Sequence, residues 1–297
     1  MTSGLFDLSE GQGAVRPGAL STMSARVVKD SVSEDGARIT TVACVYQRFI
    51  HAEVMTHRMF SRNAASSRAI PVRKMIARVR ENPAVPLFWA KNTKGMVAHE
   101  EVDEQTRVAC LDRWLEDAER ACESAEFYAG KGLHKQIANR PLEPYQYITT
   151  LITATQWGNH KKLRVHTAAQ QEYQHLATLI EEAREASVPT LVPHSGWAWH
   201  LPFETEEDWQ HHITPEILQM CVARAARVSL FNTDGVYDPK GDLKLFERLA
   251  QDRPPHSSPF EHVARPHPYP EKFVDNFKGW MSYRRVFETS IGWDSKS

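Results

Sequence analysis

The sequence lacks the features that mark several classes of protein. No apolar run approaches the roughly 20 residues that a membrane helix needs, and residues 1–20 lack the basic-then-apolar order of a signal peptide. We therefore expect a cytoplasmic protein. The 36 Lys plus Arg nearly cancel the 37 Asp plus Glu. A net charge of −1 gives no bulk attraction to nucleic acid or membranes, so an anion site must come from local arginine clusters.

Metal-binding and redox motifs are also missing. None of the cysteines forms a CxxC pair, which argues against thiolate metal sites and redox chemistry. There is no HExxH, and the adjacent His211 and His212 would diverge by about 100° on a helix. We predict no metal site and four reduced, buried cysteines: Cys44, Cys110, Cys122 and Cys221.

What is present indicates a mostly helical α+β chain. The β-branched and aromatic residues of 38–49 predict a strand, and Pro71 opens an amphipathic helix. Residues 1–37 resemble a polar arm, and 185–212 are irregular and rich in Pro and Trp. Three-and-four spacing of apolar residues predicts further helices at about 101–129, 143–157, 163–184, 214–226 and 240–251.

A run of small polar and basic residues, THRMFSRNAASSR at 56–68, is the first candidate for chemistry. Backbone N–H groups and hydroxyls in such a loop can converge on an anion, and arginines add charge-assisted donors. The run thus favours phosphate binding without a Walker glycine pattern. A solvated polar turn is the alternative.

Three other clusters could contribute to a site. Taken singly, the first two are more typical of solvated helix faces or caps than of a binding site. The last, HSSPFEH, is a proline-anchored turn that could hold a cofactor or simply lead into a strand. The clusters are Lys135, Gln136, Asn139 and Arg140; Asn159, Lys161, Lys162, Arg164, His166 and Gln170; and His256, Ser258, Glu261 and His262.

Together these segments resemble the flavin-dependent thymidylate synthases. The family signature reads Arg-His-Arg, seven residues, then Ser, and His57, Arg58 and Ser66 fit this spacing. LHKQIANR with EPYQYIT, LRVHTAAQQEYQHLA, AARVSLF and HSSPFEH resemble other family segments. The last two normally precede the signature but follow it here, as in a circularly permuted, phage-type member. Permutation is mild where the native termini lie close together.

The resemblance implies an α/β (α+β) fold with a central, mostly antiparallel sheet and long flanking helices. It also implies a homotetramer with active sites at subunit junctions, which binds neither membrane nor nucleic acid. The expected organisation is an N-terminal arm (1–37), a nucleotide- and flavin-binding core (38–184), a linker (185–213) and a permuted segment with the C-terminal tail (214–297).

The resemblance further implies transfer of a one-carbon unit from methylenetetrahydrofolate to C5 of dUMP or dCMP, with FAD as cofactor and NADPH as reductant. Ser66 and Arg164 would be the catalytic residues, with Ser66 orienting the nucleotide. Nucleotide binding would fall to Glu53, Ser66, Ser67, Arg68, Arg140 and Arg164. Flavin binding would fall to His57, Arg58, Ser61, Asn63, Asn159, Ser229, His256, Ser258 and Glu261.

Departures from the family pattern leave alternatives open. Thr56 stands at the first arginine of the signature, Ala64 at a frequent glutamate and Ala168 at a histidine. Glu53 stands at a frequent glutamine. The product could be a methylated nucleotide or, as in a phage-type hydroxymethylase, a hydroxymethylated one. A different class also fits, namely a non-catalytic nucleotide- or nucleic-acid-binding homologue that has lost flavin.

Overall fold

The computed structural model describes residues 23–95, 97–196, 198–228, 238–252 and 255–293. The strands are β1 (Ser24–Ser33), β2 (Arg38–Gln47), β3 (Ser61–Ala64), β4 (Tyr147–Ala154), β5 (Thr190–Val192), β6 (Ala264–Pro266), β7 (Phe273–Val274), β8 (Phe277–Lys278) and β9 (Trp280–Ser282). The α-helices are α1 (His51–Val54), α2 (Val72–Glu81), α3 (Glu104–Gly130), α4 (Lys135–Ala138), α5 (Gly158–Arg164), α6 (Gln171–Glu185), α7 (Glu206–His211), α8 (Thr214–Arg227), α9 (Pro239–Gln251) and α10 (Tyr283–Ser290). Short 3-10 helices span Arg48–Ile50, Arg140–Tyr145 and Ser258–His262.

A five-stranded sheet lies at the centre of a mixed α/β architecture. Its strand order is β3-β4-β2-β1-β5, and every neighbouring pair is antiparallel except β1 and β5, which are parallel. Two further two-stranded sheets pair β6 with β9 and β7 with β8. Within the described ranges, no helix combines the length and the apolar character needed to cross a membrane.

The two central strands, β2 and β4, are covered on both faces. Val42 and Ile152 are partners in the β2–β4 register and belong to a core that includes residues of α6. The next pair, Ala43 and Leu151, belongs to a separate core that includes residues of α8. Because successive side chains of a strand point to opposite faces, α6 covers one side of the sheet and α8 covers the other.

β4 corrects the prediction of a helix at 143–157. Its residues, YITTLITA, are rich in β-branched side chains, which favour a strand. The strand is buried on both faces, so its sequence shows no alternation of polar and apolar residues. A short apolar run of this kind cannot be distinguished from a buried helix by periodicity alone.

Other segments form more regular structure than their composition indicates. Within the expected polar arm, residues 24–33 form β1, a ten-residue strand that pairs with β2 along its length. Residues 190–192, within the expected linker, pair as β5 with β1. Neither strand needs an apolar sequence, because each takes its backbone hydrogen bonds from a neighbouring strand. The helices predicted at Pro71 and at 101–129 are confirmed as α2 and α3.

Candidate active site

The signature segment, residues 56–68, runs along one edge of the central sheet. β3, in its middle, is an edge strand paired with β4, and the pairing continues where Ala65 N donates to Thr149 O at 2.9 Å. The segment is thus part strand and part turn rather than a polar loop throughout. Along β3 the side chains of Ser61 and Asn63 are buried and that of Arg62 is partly exposed. The strand therefore turns two predicted flavin residues inward.

Arg164, the last residue of α5, binds the beginning of the signature segment. Its Nε donates to His57 Nε2 at 3.0 Å, and its Nη2 donates to Thr56 Oγ1 at 3.2 Å. Its Nη1 lies 3.7 Å from Glu53 Oε2, and its Cζ lies 4.6 Å from the centre of the Tyr173 ring. We call Arg164, Thr56, His57 and Tyr173 the Arg164 cluster. It holds a guanidinium mainly by neutral acceptors and an aromatic face.

The histidines beside Arg164 favour their neutral forms. Burial, followed by the charges of Arg164 and Arg62, lowers the pKa of His57. Burial also lowers the pKa of His160, to about 3, and its ring lies 5.0 Å from the His57 ring. Both nitrogens of His160 and the hydroxyl of Tyr173 are buried without a hydrogen-bond partner in the described part of the chain. The cluster is therefore surrounded by uncharged rings.

The end of the signature segment meets a different set of groups, centred on Glu143. Glu143 Oε1 accepts hydrogen bonds from Ser67 Oγ at 3.1 Å, from Arg140 Nη1 at 2.9 Å and from Arg48 Nη2 at 3.2 Å. Asn139 Nδ2 donates to the carbonyl oxygen of Ser67 at 2.7 Å, which fixes the backbone of the turn. We call Ser67, Arg140, Arg48 and Glu143 the Glu143 cluster. Here the cations already share one carboxylate.

The remaining predicted phosphate-binding residues lie in the same turn. The backbone N–H of Arg68 donates to Ser66 Oγ at 3.3 Å, and the Arg68 side chain is exposed. The structure thus brings Ser66, Ser67, Arg68 and Arg140 together at one end of the segment. Arg164 makes its contacts at the other end.

Arg62, which lies between the two ends, was not among the predicted site residues. Its Nη1 donates to the carbonyl oxygens of Met55 at 2.7 Å and His57 at 3.1 Å, and so binds the chain that follows α1. Its charge acts on His51 and His57, whose pKa values are both lowered first by burial and then by nearby arginines. The signal available in the sequence was a third arginine within the signature.

The segment SPFEH forms the 3-10 helix Ser258–His262, which packs against β3. Glu261 Oε1 accepts from Arg284 Nη1 at 2.5 Å, and Asn276 Nδ2 donates to Ser61 Oγ at 3.2 Å. A polar cavity of about 310 Å³ opens here. It is lined by Ser61, Glu261, Asp275, Asn276, Phe277, Ser282, Arg284 and Glu288. A signature residue and the SPFEH segment thus share one cavity.

A chain of buried hydrogen bonds connects this 3-10 helix to the sheet. Ser31 Oγ and Thr41 Oγ1 each lie 2.8 Å from a ring nitrogen of His200. Thr41 Oγ1 lies 2.6 Å from Thr153 Oγ1, which in turn lies 2.8 Å from His262 Nδ1. Burial lowers the pKa of both histidines, that of His262 to about 3, so the chain is uncharged. We call these five residues the polar chain.

The residues predicted to bind flavin fall into different environments. Asn63 is buried and its Nδ2 donates to the carbonyl oxygen of Ala225 at 2.7 Å, so it joins β3 to α8. His256 is 68% exposed and lies 3.1 Å from Asp252. Ser229 lies outside the described residues. The side chains of Arg58, Asn159 and Ser258 are exposed.

The exposed side chains among these residues match the chemistry of a flavin dinucleotide in part. A guanidinium, an amide, an imidazole and a hydroxyl can bind phosphate and ribose oxygens. The 310 Å³ cavity has the size of a site for a ring system. Ser61 and Asn63 fit less well, because their polar atoms already bind Asn276 and Ala225.

The cysteines do not offer an activated thiolate. Cys44, Cys122 and Cys221 are buried, and burial raises the pKa of each thiol, that of Cys122 to about 11. A raised pKa lowers the fraction of the nucleophilic thiolate. Cys110 is exposed on α3, which corrects the prediction that all four are buried. It lies on a different element from both clusters.

Comparison with known proteins finds a limited likeness. Two solved structures of a UMP/dUMP methylase, PolB from Streptomyces cacaoi, match at 16% sequence identity, one bound with 5-Br dUMP and the other with 5-Br UMP. The first covers 55% of this chain and 89% of its own, with a TM-score of 0.44; the second covers 56% and 89%, with a TM-score of 0.47. At these scores the likeness carries no weight for the activity of this chain. No protein-family model and no curated protein matches it.

Proposed function

We propose that the chain is a flavin-dependent enzyme that transfers a one-carbon unit from methylenetetrahydrofolate to C5 of a pyrimidine deoxynucleotide. The signature segment carries this proposal, because residues distant in sequence meet at its two ends. Arg164 reaches His57 across 107 positions, and Glu143 reaches Ser67 across 76. The sequence resemblance assigns these same segments to one site.

The two clusters divide the work of binding a nucleotide. The phosphate would bind to hydroxyl, N–H and guanidinium donors at the end of the signature segment. These donors come from Ser66, Ser67, Arg68 and Arg140. Arg164 supplies a cation whose hydrogen-bond partners are neutral and whose Nη1 lies 3.7 Å from the carboxylate of Glu53. Such a cation suits the negative charge that develops on a pyrimidine carbonyl oxygen during the reaction.

Arg58, Asn159, His256 and Ser258 are the residues that would hold the flavin, with Glu261 beside the ring cavity. A bound flavin would supply the hydride that reduces the transferred one-carbon unit. The chain's own part is to bind and orient the nucleotide, and to place the Arg164 guanidinium at the base. Burial raises the pKa of the Cys44 and Cys221 thiols, so they stay protonated. This fits a reaction without a cysteine nucleophile.

The colour of the purified protein tests the class of function. We expect absorbance typical of oxidised flavin, either as purified or after reconstitution with FAD. A colourless protein that binds dUMP but cannot be reconstituted would instead identify the non-catalytic nucleotide-binding homologue. The engagement of Ser61 and Asn63 within the chain is the observation that favours this second candidate.

The mass of the product distinguishes the two enzymatic outcomes. Incubation with dUMP or dCMP, methylenetetrahydrofolate and NADPH should add one CH2 if the transferred methylene is reduced to methyl. Attack by water on the same carbon would add CH2O, giving a hydroxymethylated base. If the flavin-loaded protein produced neither mass change with either nucleotide, that result would contradict the proposal.

A further inference from the structure

Thr56 is where the chain departs from the signature, and it contacts Arg164 directly. Thr56 Oγ1 donates its proton to the carbonyl oxygen of Glu53 at 2.7 Å. This leaves an oxygen lone pair for Arg164 Nη2, which lies 3.2 Å away. The hydroxyl is therefore oriented as an acceptor toward the guanidinium.

His57 presents a second acceptor to the same guanidinium. Arg164 Nε lies 3.0 Å from His57 Nε2 and can only donate, so Nε2 is the unprotonated nitrogen of a neutral imidazole. The ring of Tyr173, 4.6 Å from Arg164 Cζ, supports one face of the guanidinium. Two hydrogen bonds and one ring contact thus define the plane and the direction of the group, which keeps 22% of its side chain exposed.

We propose that Thr56 and His57 are positioning residues that fix the guanidinium of Arg164 toward the base of the bound nucleotide. This inference rests on the proposed function, since it takes Arg164 as the residue that faces the base. It gives His57 a role other than the flavin contact implied by the resemblance. It also explains why position 56 is not an arginine here, because a second cation would remove the acceptor and repel Arg164.

Binding of dUMP and of deoxyribose 5-phosphate, measured by calorimetry on the full chain, tests this role. Thr56→Val removes the acceptor while keeping the shape of the side chain, and Thr56→Ser restores the hydroxyl. We expect Thr56→Val to weaken dUMP binding about tenfold, the effect of one hydrogen bond to a charged group. Thr56→Ser should stay within about twofold of wild type. Deoxyribose 5-phosphate lacks the base, so its affinity should not change in either variant.

Thr178→Val is the matched control, because it removes a hydroxyl that donates to Gln174 O at 2.9 Å on α6, away from Arg164. It should bind both ligands like wild type. In an Arg164→Ala background, Thr56→Val should have no further effect on dUMP. Additive losses in that double variant, or an equal loss of both ligands in Thr56→Val, would overturn the positioning role.

The same measurements separate this inference from the proposed function. If the wild-type chain binds dUMP no better than deoxyribose 5-phosphate, or if Arg164→Ala binds dUMP like wild type, the proposed role of Arg164 fails. If Arg164→Ala loses dUMP and Thr56→Val keeps it, the proposed function stands and the positioning role fails.

Discussion

Two arginines of this chain are held in opposite ways. Arg224, on α8, is fully buried, and its guanidinium donates to Asp208 through Nη1 at 2.5 Å and Nη2 at 2.8 Å and to Asp242 through Nε at 2.9 Å. Arg227 also binds Asp242, at 2.7 Å. We call these four residues the Arg224 cluster. Arg164, in contrast, donates its hydrogen bonds to a threonine and a neutral histidine and lies over an aromatic ring, with the carboxylate of Glu53 at 3.7 Å.

The difference separates a structural arginine from a candidate binding arginine. A buried guanidinium is stable only when carboxylates and other acceptors satisfy it, and in the Arg224 cluster the carboxylates come from two helices that flank α8, namely Asp208 from α7 and Asp242 from α9. The Arg164 cluster holds its guanidinium at a partly exposed position by neutral groups, and Glu53 Oε2, 3.7 Å from Nη1, makes a longer ionic contact with it. Neutral acceptors can orient a cation without neutralising it, so the charge of Arg164 can still attract a ligand.

The largest expected effect comes from breaking the Arg224 cluster. Arg224→Ala leaves the buried carboxylates of Asp208 and Asp242 without their main partner, and should lower the free energy of unfolding by about 3–5 kcal/mol. Chemical denaturation measures this change. Arg227→Ala is the matched control, because Arg227 is 26% exposed and should cost only about 1 kcal/mol. Equal losses in the two variants would contradict the structural role of Arg224.

Removing Arg164 should have the opposite result, with a small effect on stability and a large effect on turnover. Arg164→Ala should change the free energy of unfolding by no more than about 0.5 kcal/mol, because its hydrogen-bond partners are neutral and its one carboxylate contact, 3.7 Å to Glu53, is 41% exposed at the Glu53 side chain. Turnover of the flavin-loaded enzyme should fall on the order of 10²-fold, the cost of losing one donor to a developing oxyanion. Arg164→Lys keeps the charge but loses the planar fork, and should recover only part of the rate. Normal activity in Arg164→Ala would remove this residue from the mechanism.

The same contrast explains what could be predicted from the sequence. Helices with one buried face, such as α2 and α3, have a periodicity that a single sequence displays. β4 has two buried faces and no such period, and β1 depends on pairing with β2, so neither was predicted. Local patterns therefore identified the helices that bury one side and the strand β2, whose β-branched residues are distinctive, but missed β1 and β4.

The candidate site was predicted to a similar extent. The resemblance grouped the signature segment with Arg140, Arg164 and the SPFEH segment, and these lie against it in the structure. It assigned no role to Arg48 or to Glu143, although Glu143 opens the segment EPYQYIT, because their contact joins two separate 3-10 helices. Three-dimensional pairing of charges is not encoded in the spacing of residues along the chain.

A neutral buried network should behave like the Arg224 cluster on a smaller scale. Thr153→Val interrupts the polar chain, because it leaves the Nδ1 atom of His262 without its partner and removes one of the two side-chain partners of Thr41, which should cost about 1–3 kcal/mol of unfolding free energy. Thr149→Val, on the same strand, is the control, because the Thr149 hydroxyl makes no side-chain hydrogen bond with the residues that the structure describes. Chemical denaturation of both variants measures the difference. Equal stability of the two would show that the polar chain contributes little.

The smallest expected effect is the pH dependence of dUMP affinity that comes from His57, the neutral acceptor beside Arg164. His57 faces Arg164, Arg62, His160 and Tyr173, and burial followed by the two arginines lowers its pKa. Near neutral pH its Nε2 therefore accepts from Arg164 Nε. Protonation turns Nε2 into a donor and adds a positive charge, so affinity for dUMP should fall as the pH decreases through this lowered pKa, and should be constant above the ordinary histidine range.

His57→Gln isolates this titration, since a glutamine oxygen can accept from Arg164 but cannot gain a proton in this range. The phosphate of dUMP titrates near pH 6 in both proteins, so the ratio of their dUMP dissociation constants cancels it. We expect wild type to weaken relative to His57→Gln by a few-fold between about pH 7.5 and 5, because protonation costs one charge-assisted hydrogen bond. A ratio that stays constant, or that moves in favour of wild type at low pH, would mean that Arg164 does not depend on a neutral His57. The guanidinium would then be held by Thr56, Tyr173 and the carboxylate of Glu53, and the contrast with Arg224 would rest on Thr56 and Tyr173.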